Sequence, residues 1–202
     1  MLIIGLTGPT GAGKGTVASR FAVYGVPSID TDAVYHQLLI PPSACLDAVA
    51  ERFGASVLKP DGSLDRSALA SRVFAPGHEE ERNDLNHITH AYILDCVRAT
   101  CRELDTRGVP AVLVDAPLLY ESGFDAECDR VLAVLADPDV RLARIMARDG
   151  LPLSAAVSRL RAQKPDSFYT ERASAVIRND GSPEELDAPI RSLLYAWKVV
   201  TP

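Results

Sequence analysis

The stretch GPTGAGKGT, from Gly8 to Thr16, holds the residues whose types and spacing best suit a chemical role. Glycines let a loop turn so tightly that its N–H groups converge on phosphate oxygens at the start of the next helix. Lys14 adds a positive charge, and the flanking strand-like and helical patterns are those that a phosphate-binding loop needs. The alternative is a purely structural turn. We predict that a nucleotide binds at Gly8, Gly11, Ala12, Gly13, Lys14, Gly15 and Thr16.

Gly15 departs from the usual G-x-x-x-x-G-K-[ST] pattern, in which the residue after the lysine carries a hydroxyl that binds magnesium. Magnesium accepts water ligands and can bind chiefly through phosphate oxygens and one carboxylate. Thr16 supplies a hydroxyl one position later. The departure therefore bears on how the metal is held more than on whether phosphoryl transfer is possible.

Carboxylates follow two further predicted strands. Asp115 ends the apolar run AVLVD and could hold magnesium through water, although an aspartate that caps a turn is common at such a position. Asp30 and Asp32, in the segment IDTD, come at the end of another strand, where open α/β sheets bind their ligands. If the backbone stays extended, both side chains lie on the same side. Asp30 is expected to have a mainly structural role.

Short apolar runs alternate with helical patterns along the chain, which predicts a parallel sheet built from strand–helix–strand units. Runs such as VLAVLA are apolar on both faces, as strands covered by helices on both sides should be. The predicted strands are Leu2–Leu6, Pro27–Ile29, Ala111–Val114, Arg130–Ala136 and Ala175–Ile177.

The second and third predicted strands are separated by about eighty residues, too many for one crossover helix. We predict a helical insertion over 35–106, in which Ser43 and Asp65 cap two helices and a longer helix runs from about Glu79 to Leu104. A second excursion, rich in arginine, covers 140–168. The core then consists of 1–34, 107–139 and 169–202, within one domain.

Composition restricts the class of protein. The chain has 202 residues, of which 47% are hydrophobic, and a formal net charge of −6, which argues against broad binding to nucleic acid or to an anionic membrane. Its four cysteines form no C-x-x-C pair, so reduced and mostly buried thiols are expected. The first apolar run is too short, and lacks the basic flank, for a signal peptide, which favours a cytoplasmic protein.

With these features in place, the chain resembles the dephospho-coenzyme A kinase family almost from end to end. Each matching segment is weakly specific alone, whereas their order and spacing together are specific. The segments are GLTG with the loop, IDTD, DGSLDR, LNHITH, APLLYESG and RLARIMARDGL, followed by Gln163 and Asn179.

The resemblance implies an α/β P-loop kinase fold, with a five-stranded parallel sheet flanked by helices, a helical substrate-binding insertion and a short lid. It implies that ATP, with Mg2+, phosphorylates the ribose 3′-hydroxyl of dephospho-coenzyme A to give coenzyme A and ADP.

The resemblance also suggests roles for individual residues. Asp32 would orient the attacking hydroxyl and accept its proton, and Lys14 would bind phosphate. Arg144 and Arg148 would close over the ATP phosphates from the lid, whereas Arg141, on the same helix face, is expected to be solvated. The predicted acceptor-binding residues are Asp32, Arg66, His90, Leu118 and Glu121.

Several of these residues also have plain structural interpretations. Arg66 could be a solvated or ion-paired arginine, although a bidentate contact to a substrate phosphate is favoured. His90 is either a pocket residue or a packed helix residue. In PLLYE, Leu118 to Tyr120 could simply pack in the core, and Glu121 could be an ordinary surface residue.

Two other functions remain open from the sequence. The chain could be another small-metabolite or nucleotide kinase, because the fold does not determine the acceptor. It could also be a nucleotide-binding regulator without transfer activity, for which Gly15 and the altered loop are the only support. The presence of Asp32, Asp115 and the lid arginines argues against a pure binder. A phosphotransfer assay with ATP and a panel of acceptors distinguishes the three.

Overall fold

A five-stranded sheet with the order β2-β3-β1-β4-β5 forms the centre of the computed structural model, which describes residues 1–200. Strand β1 pairs in parallel with β3 and β4, and β4 pairs in parallel with β5. The predicted strands are confirmed, with ends that differ by a residue or two. Their bounds are β1 Leu2–Thr7, β2 Ser28–Asp30, β3 Ala111–Asp115, β4 Arg130–Leu135 and β5 Ala175–Arg178.

Helices occupy most of the sequence between the strands. They are α1 Lys14–Val23, α2 Thr31–Leu38, α3 Ala44–Phe53, α4 Arg66–Val73, α5 Glu79–Thr106, α6 Pro138–Asp149, α7 Leu153–Arg161, α8 Asp166–Thr170 and α9 Asp187–Ala196. The long helix predicted from about Glu79 is α5. Within residues 1–200, no helix combines the length and the apolar character that are needed to cross a membrane.

The described chain divides into two compact units, Met1–Ile29 with residues 101–200, and Asp30–Thr100. In the first unit, α1 and α9 pack on the sheet. Phe21 of α1 and Ile190 of α9 are fully buried in one cluster with Ile4 and Leu6 of β1. Burial of strand residues by helices explains the continuous apolar runs within β1, β3 and β4.

The second unit, Asp30–Thr100, is the helical insertion and has a core of its own, which includes Leu46, Phe53 and Val73. The two predicted helix caps are confirmed here. Ser43 Oγ accepts from the N–H of Leu46 at 3.3 Å, and Asp65 accepts from the N–H of Ala68 at 3.0 Å. Each cap satisfies a backbone donor that lacks a partner within the helix.

Candidate active site

The glycine-rich loop leaves β1 and leads into α1, and its glycines are required by the backbone. Gly8, Gly11 and Gly13 have φ angles of +145°, +79° and +87°, which side chains rarely allow. A Cβ atom at Gly8 would lie 2.2 Å from the carbonyl oxygen of Val134 in β4. One at Gly13 would lie 2.1 Å from Nδ2 of Asn179. The loop therefore packs too closely on its neighbours for any other residue at these positions.

The N-terminus of α1 is suited to an anion. Its N-cap, Gly13, provides no side-chain cap, and its first turn contains no acidic residue. The unbonded N–H groups of a helix start carry a partial positive charge, which favours phosphate. Lys14, the first residue of α1, is half-buried, and its Nζ lies 3.3 Å from the carbonyl oxygen of Gly8. The lysine is thus folded back over the loop.

Asp115 lies at the carboxyl end of β3, beside the strand that leads into the loop. It is in register with Leu6 of β1, and the N–H of Ala116 donates to the carbonyl oxygen of Leu6 at 3.1 Å. The sequence placed Asp115 at a strand end, and the pairing of β1 with β3 brings that end next to the start of the loop. The side chain is partly buried.

The three arginines of α6 have three different environments. Arg144 Nη1 donates to the carbonyl oxygen of Asn179 at 2.8 Å and lies 3.5 Å from that of Ala12 in the loop. Arg148 is exposed and forms an ion pair with Asp149, at 2.8 Å between Nε and Oδ1. The structure therefore brings Arg144 to the loop and leaves Arg148 in a surface ion pair.

The prediction that Arg141 is solvated is wrong. Its side chain is buried, and its Nε donates to the carbonyl oxygen of Thr10 at 3.0 Å. The reason is that the N-terminal part of α6 packs directly on the loop, whereas the helix end with Arg148 faces solvent.

The resemblance to the family includes two residues, Gln163 and Asn179, whose roles the sequence does not indicate. Both bind the loop. Asn179, which is almost fully buried, donates from Nδ2 to the carbonyl oxygen of Ala12 at 2.9 Å. Gln163 accepts at Oε1 from the N–H of Thr10 at 3.0 Å. Their motifs were visible in the sequence, but the loop residue that each one binds was not.

The PLLYE segment follows β3 and divides between core and surface. Leu119 and Tyr120 are buried, and the Tyr120 hydroxyl donates to the carbonyl oxygen of Tyr169 at 3.0 Å. Leu118 and Glu121 are exposed. Core packing thus accounts for the middle of the segment, and acceptor binding by Leu118 and Glu121 stays a prediction.

In the helical unit, Asp30 is the N-cap of α2. Its carboxylate accepts from the N–H groups of Asp32 at 2.9 Å and Ala33 at 3.1 Å. The backbone does not stay extended here, because the helix begins at Thr31, so the condition for both carboxylates to lie on one side is not met. Asp32 instead lies exposed in the first turn of α2. The structural role expected of Asp30 is confirmed.

A cavity of about 150 Å³ opens within the helical unit. Its lining includes Tyr35, Arg66, Phe74 and the aliphatic residues Leu39, Leu64 and Leu69. Burial raises the pKa of the Tyr35 hydroxyl, and the positive charge of Arg66 partly opposes that rise. The cavity is smaller than the volume of about 300–1,000 Å³ that is usual for a whole ligand, so it suits one part of a larger molecule. His90 lies half-buried in α5.

Metal binding at the loop would depend on few protein groups. Among residues 1–200, no three His, Cys, Asp or Glu side chains are grouped so as to bind a metal ion by themselves. The oxygen atoms of Asp115 and Thr16 are of the type that Mg2+ prefers, and a nucleotide would supply further oxygens. The residues present thus fit a magnesium ion that arrives with its nucleotide.

Comparison with known proteins identifies the family. The family model described as dephospho-CoA kinase matches residues 2–185. A dephospho-CoA kinase of Anaeromyxobacter dehalogenans is 42% identical over 96% of this chain and 91% of its own length. One from Moorella thermoacetica is 41% identical, over 98% and 92% respectively.

Solved structures of similar proteins agree with the family match. TT1252 from Thermus thermophilus is 33% identical, with a TM-score of 0.78 over 96% of this chain and 97% of its own. A dephospho-CoA kinase from Campylobacter jejuni is 26% identical, with a TM-score of 0.69 over 96% of each chain. A shikimate kinase from Acinetobacter baumannii, 20% identical with a TM-score of 0.53, covers 99% of this chain and 96% of its own and shares the fold. The chain belongs to the dephospho-CoA kinase family.

Proposed function

We propose that this protein transfers the γ-phosphoryl group of ATP to the ribose 3′-hydroxyl of dephospho-coenzyme A. The observation that carries ATP binding and transfer is the loop: three glycines at which any side chain would be strained, a helix start without a side-chain cap, and Lys14 folded over the loop. In phosphoryl transfer the protein mainly positions the reactants and offsets developing charge, and these features do both. The match to the dephospho-CoA kinase family supports the acceptor.

On the nucleotide side, the loop N–H groups and Lys14 bind the β and γ phosphates. Arg144, already at the loop, adds a positive charge that offsets negative charge in the transition state. Arg148 can act there only if its ion pair with Asp149 opens. Its role therefore requires a rearrangement that Arg144 does not need. In this proposal residues 140–168 serve as the lid.

On the acceptor side, Asp32 orients the 3′-hydroxyl and takes its proton. Residues 35–106 supply the acceptor-binding part, in which Arg66 pairs with an acceptor phosphate and its neighbouring cavity holds an apolar portion of the molecule. His90, Leu118 and Glu121 complete this set.

Magnesium is the proposed metal. When bound with ATP, it neutralises charge on the β and γ phosphate oxygens. Asp115 would hold it through water, and the Thr16 hydroxyl is the nearest substitute in sequence for the side chain that Gly15 lacks.

The Gly15→Ser variant tests this description of the metal site. Gly15 is exposed in the first turn of α1, and a Cβ atom there would meet nothing within 4 Å. We expect transfer to persist and the Mg2+ concentration for half-maximal rate to fall, because serine adds a metal ligand. The measurement is the initial rate as Mg2+ is titrated.

Gly13→Ser is the matched control, since its Cβ would lie 2.1 Å from Asn179 Nδ2. It should lose ATP binding. An inactive Gly15→Ser variant would show that the position needs glycine after all.

The proposed function is tested by incubating the purified protein with ATP, Mg2+ and dephospho-coenzyme A, and locating the new phosphate by 31P and 1H NMR. The product should be coenzyme A, phosphorylated at the ribose 3′ position. Shikimate and nucleoside monophosphates serve as alternative acceptors. Faster transfer to one of these than to dephospho-coenzyme A would contradict the assigned acceptor, and ATP binding without transfer to any acceptor would favour a regulator.

Arg66→Met tests the acceptor side. A charge-assisted hydrogen bond is lost, so KM for dephospho-coenzyme A should rise roughly ten- to a hundredfold while KM for ATP stays near the parent value. Steady-state kinetics with each substrate varied in turn give both constants. Arg82→Met, an exposed arginine of α5, is the control. An unchanged KM for the acceptor would remove Arg66 from the proposed site.

A further inference from the structure

Two side chains outside the proposed transfer chemistry, Arg141 and Gln163, bind the backbone of one loop residue. Arg141 Nε donates to the carbonyl oxygen of Thr10 at 3.0 Å. The N–H of Thr10 donates to Gln163 Oε1 at 3.0 Å. Both polar backbone groups of Thr10 are thus held by side chains from residues 140–168, more than a hundred positions along the chain.

The burial of Arg141 shows that this contact is not a passing surface interaction. Arg141 is only 5% exposed, which is rare for an arginine. Taking a guanidinium out of water is unfavourable unless hydrogen bonds and opposite charge compensate. Thr10 supplies the hydrogen bond, and Asp166 Oδ1, 3.6 Å from Nη1, supplies the charge.

Gly11 gives independent evidence of the same packing. Its φ angle is +79°, and a Cβ atom there would lie 2.8 Å from the carbonyl oxygen of Arg141 and 3.1 Å from its Cα. The loop therefore lies directly against the backbone of α6 at Arg141. Two successive loop residues, Thr10 and Gly11, are constrained from the same helix, one by a hydrogen bond and one by close contact.

We propose that Arg141 and Gln163 are positioning residues that hold the loop in its nucleotide-binding conformation before the nucleotide arrives. This rests on the proposed binding of ATP at the loop. If only a fraction of molecules has a competent loop, the apparent dissociation constant rises in inverse proportion to that fraction. Loss of the Thr10 contacts therefore weakens ATP binding and raises KM for ATP. The kcat value, which reports on the assembled complex, changes little.

Two substitutions at Arg141 separate the hydrogen bond from the bulk of the side chain. In glutamine, Nε2 follows Cδ as Nε does in arginine, so Arg141→Gln keeps a donor for Thr10. In methionine a methyl carbon lies at that point, so Arg141→Met keeps the apolar stem and loses the donor. Arg191→Met, at an exposed arginine of α9 outside residues 140–168, is the matched control.

ATP binding to the full chain is measured by titration calorimetry, and KM and kcat by steady-state kinetics. Arg141→Met should weaken ATP binding about tenfold and raise KM for ATP by a similar factor, with kcat within about twofold of the parent. Arg141→Gln and Arg191→Met should bind ATP as the parent does. KM for the acceptor should not change in any of the three variants. A general loss of structure would change KM for both substrates.

Parent-like ATP affinity in Arg141→Met would overturn the proposal. So would an Arg141→Gln variant as weak as Arg141→Met, because the charge and its pairing with Asp166 would then matter rather than the donor. If Arg141→Met does not fold, as judged by circular dichroism, Gln163→Met replaces it and must show the same split between KM and kcat. A parent protein that does not bind ATP would instead contradict the proposed function.

Discussion

Replacing Lys14 with alanine is expected to lower the rate of phosphoryl transfer at least about a hundredfold, the effect of removing one well-placed donor from a charged transition state. Lys14 Nζ lies over the loop, 3.3 Å from the Gly8 carbonyl oxygen, where no acidic residue in the first turn of α1 competes for it. As the bond between the γ-phosphorus and the bridging oxygen breaks, its electron pair moves to the β-phosphate of the departing ADP, and the lysine stabilises the negative charge that develops there. The rate is measured with saturating ATP and acceptor.

The fold should survive this change. Lys14 is only half-buried, and alanine is the better helix former, so the thermal midpoint should stay close to that of the parent. Lys59→Ala, at an exposed lysine, is the control for loss of a positive charge. Unchanged turnover in purified Lys14→Ala would contradict the assignment of the loop as the phosphoryl-transfer site.

Replacing Asp32 with asparagine is expected to reduce turnover by about a hundredfold or more while ATP and acceptor still bind, the range for a positioned acid or base. The amide keeps the shape of the carboxylate but cannot take the proton of the 3′-hydroxyl. The deficit should therefore lie in the chemical step and appear in single-turnover measurements. Calorimetric titrations with each substrate report binding separately.

Asp30→Asn is the matched control, two residues away and also isosteric. Asp30 caps α2 by accepting from the N–H groups of Asp32 and Ala33, and asparagine is as good an N-cap as aspartate. We expect it to cost far less activity than Asp32→Asn. Should Asp30→Asn be the more damaging change, or Asp32→Asn turn over at the parent rate, the general base is a different residue.

The sequence by itself determined the sheet and the loop, because both depend on local pattern. Apart from Asp115 and Arg130 at their ends, β3 and β4 are apolar on both faces, as strands buried on both sides should be. Gly8 and Gly13 were predictable because a tight phosphate-binding turn needs positive φ angles, which glycine adopts most readily. The caps at Ser43 and Asp65 were equally local, since each binds an N–H three residues on.

Tertiary structure decided which side chains meet the loop. Arg141 and Thr10 are 131 positions apart, and helical spacing shows only that Arg141 shares a face with Arg144 and Arg148. Whether a face is solvated depends on what packs against it, and here the start of α6 packs on the loop while its end does not. Asp32, in contrast, was placed by a local interaction. The Asp30 carboxylate accepts from the first N–H groups of α2, so the helix begins at Thr31 and Asp32 lies in its first turn.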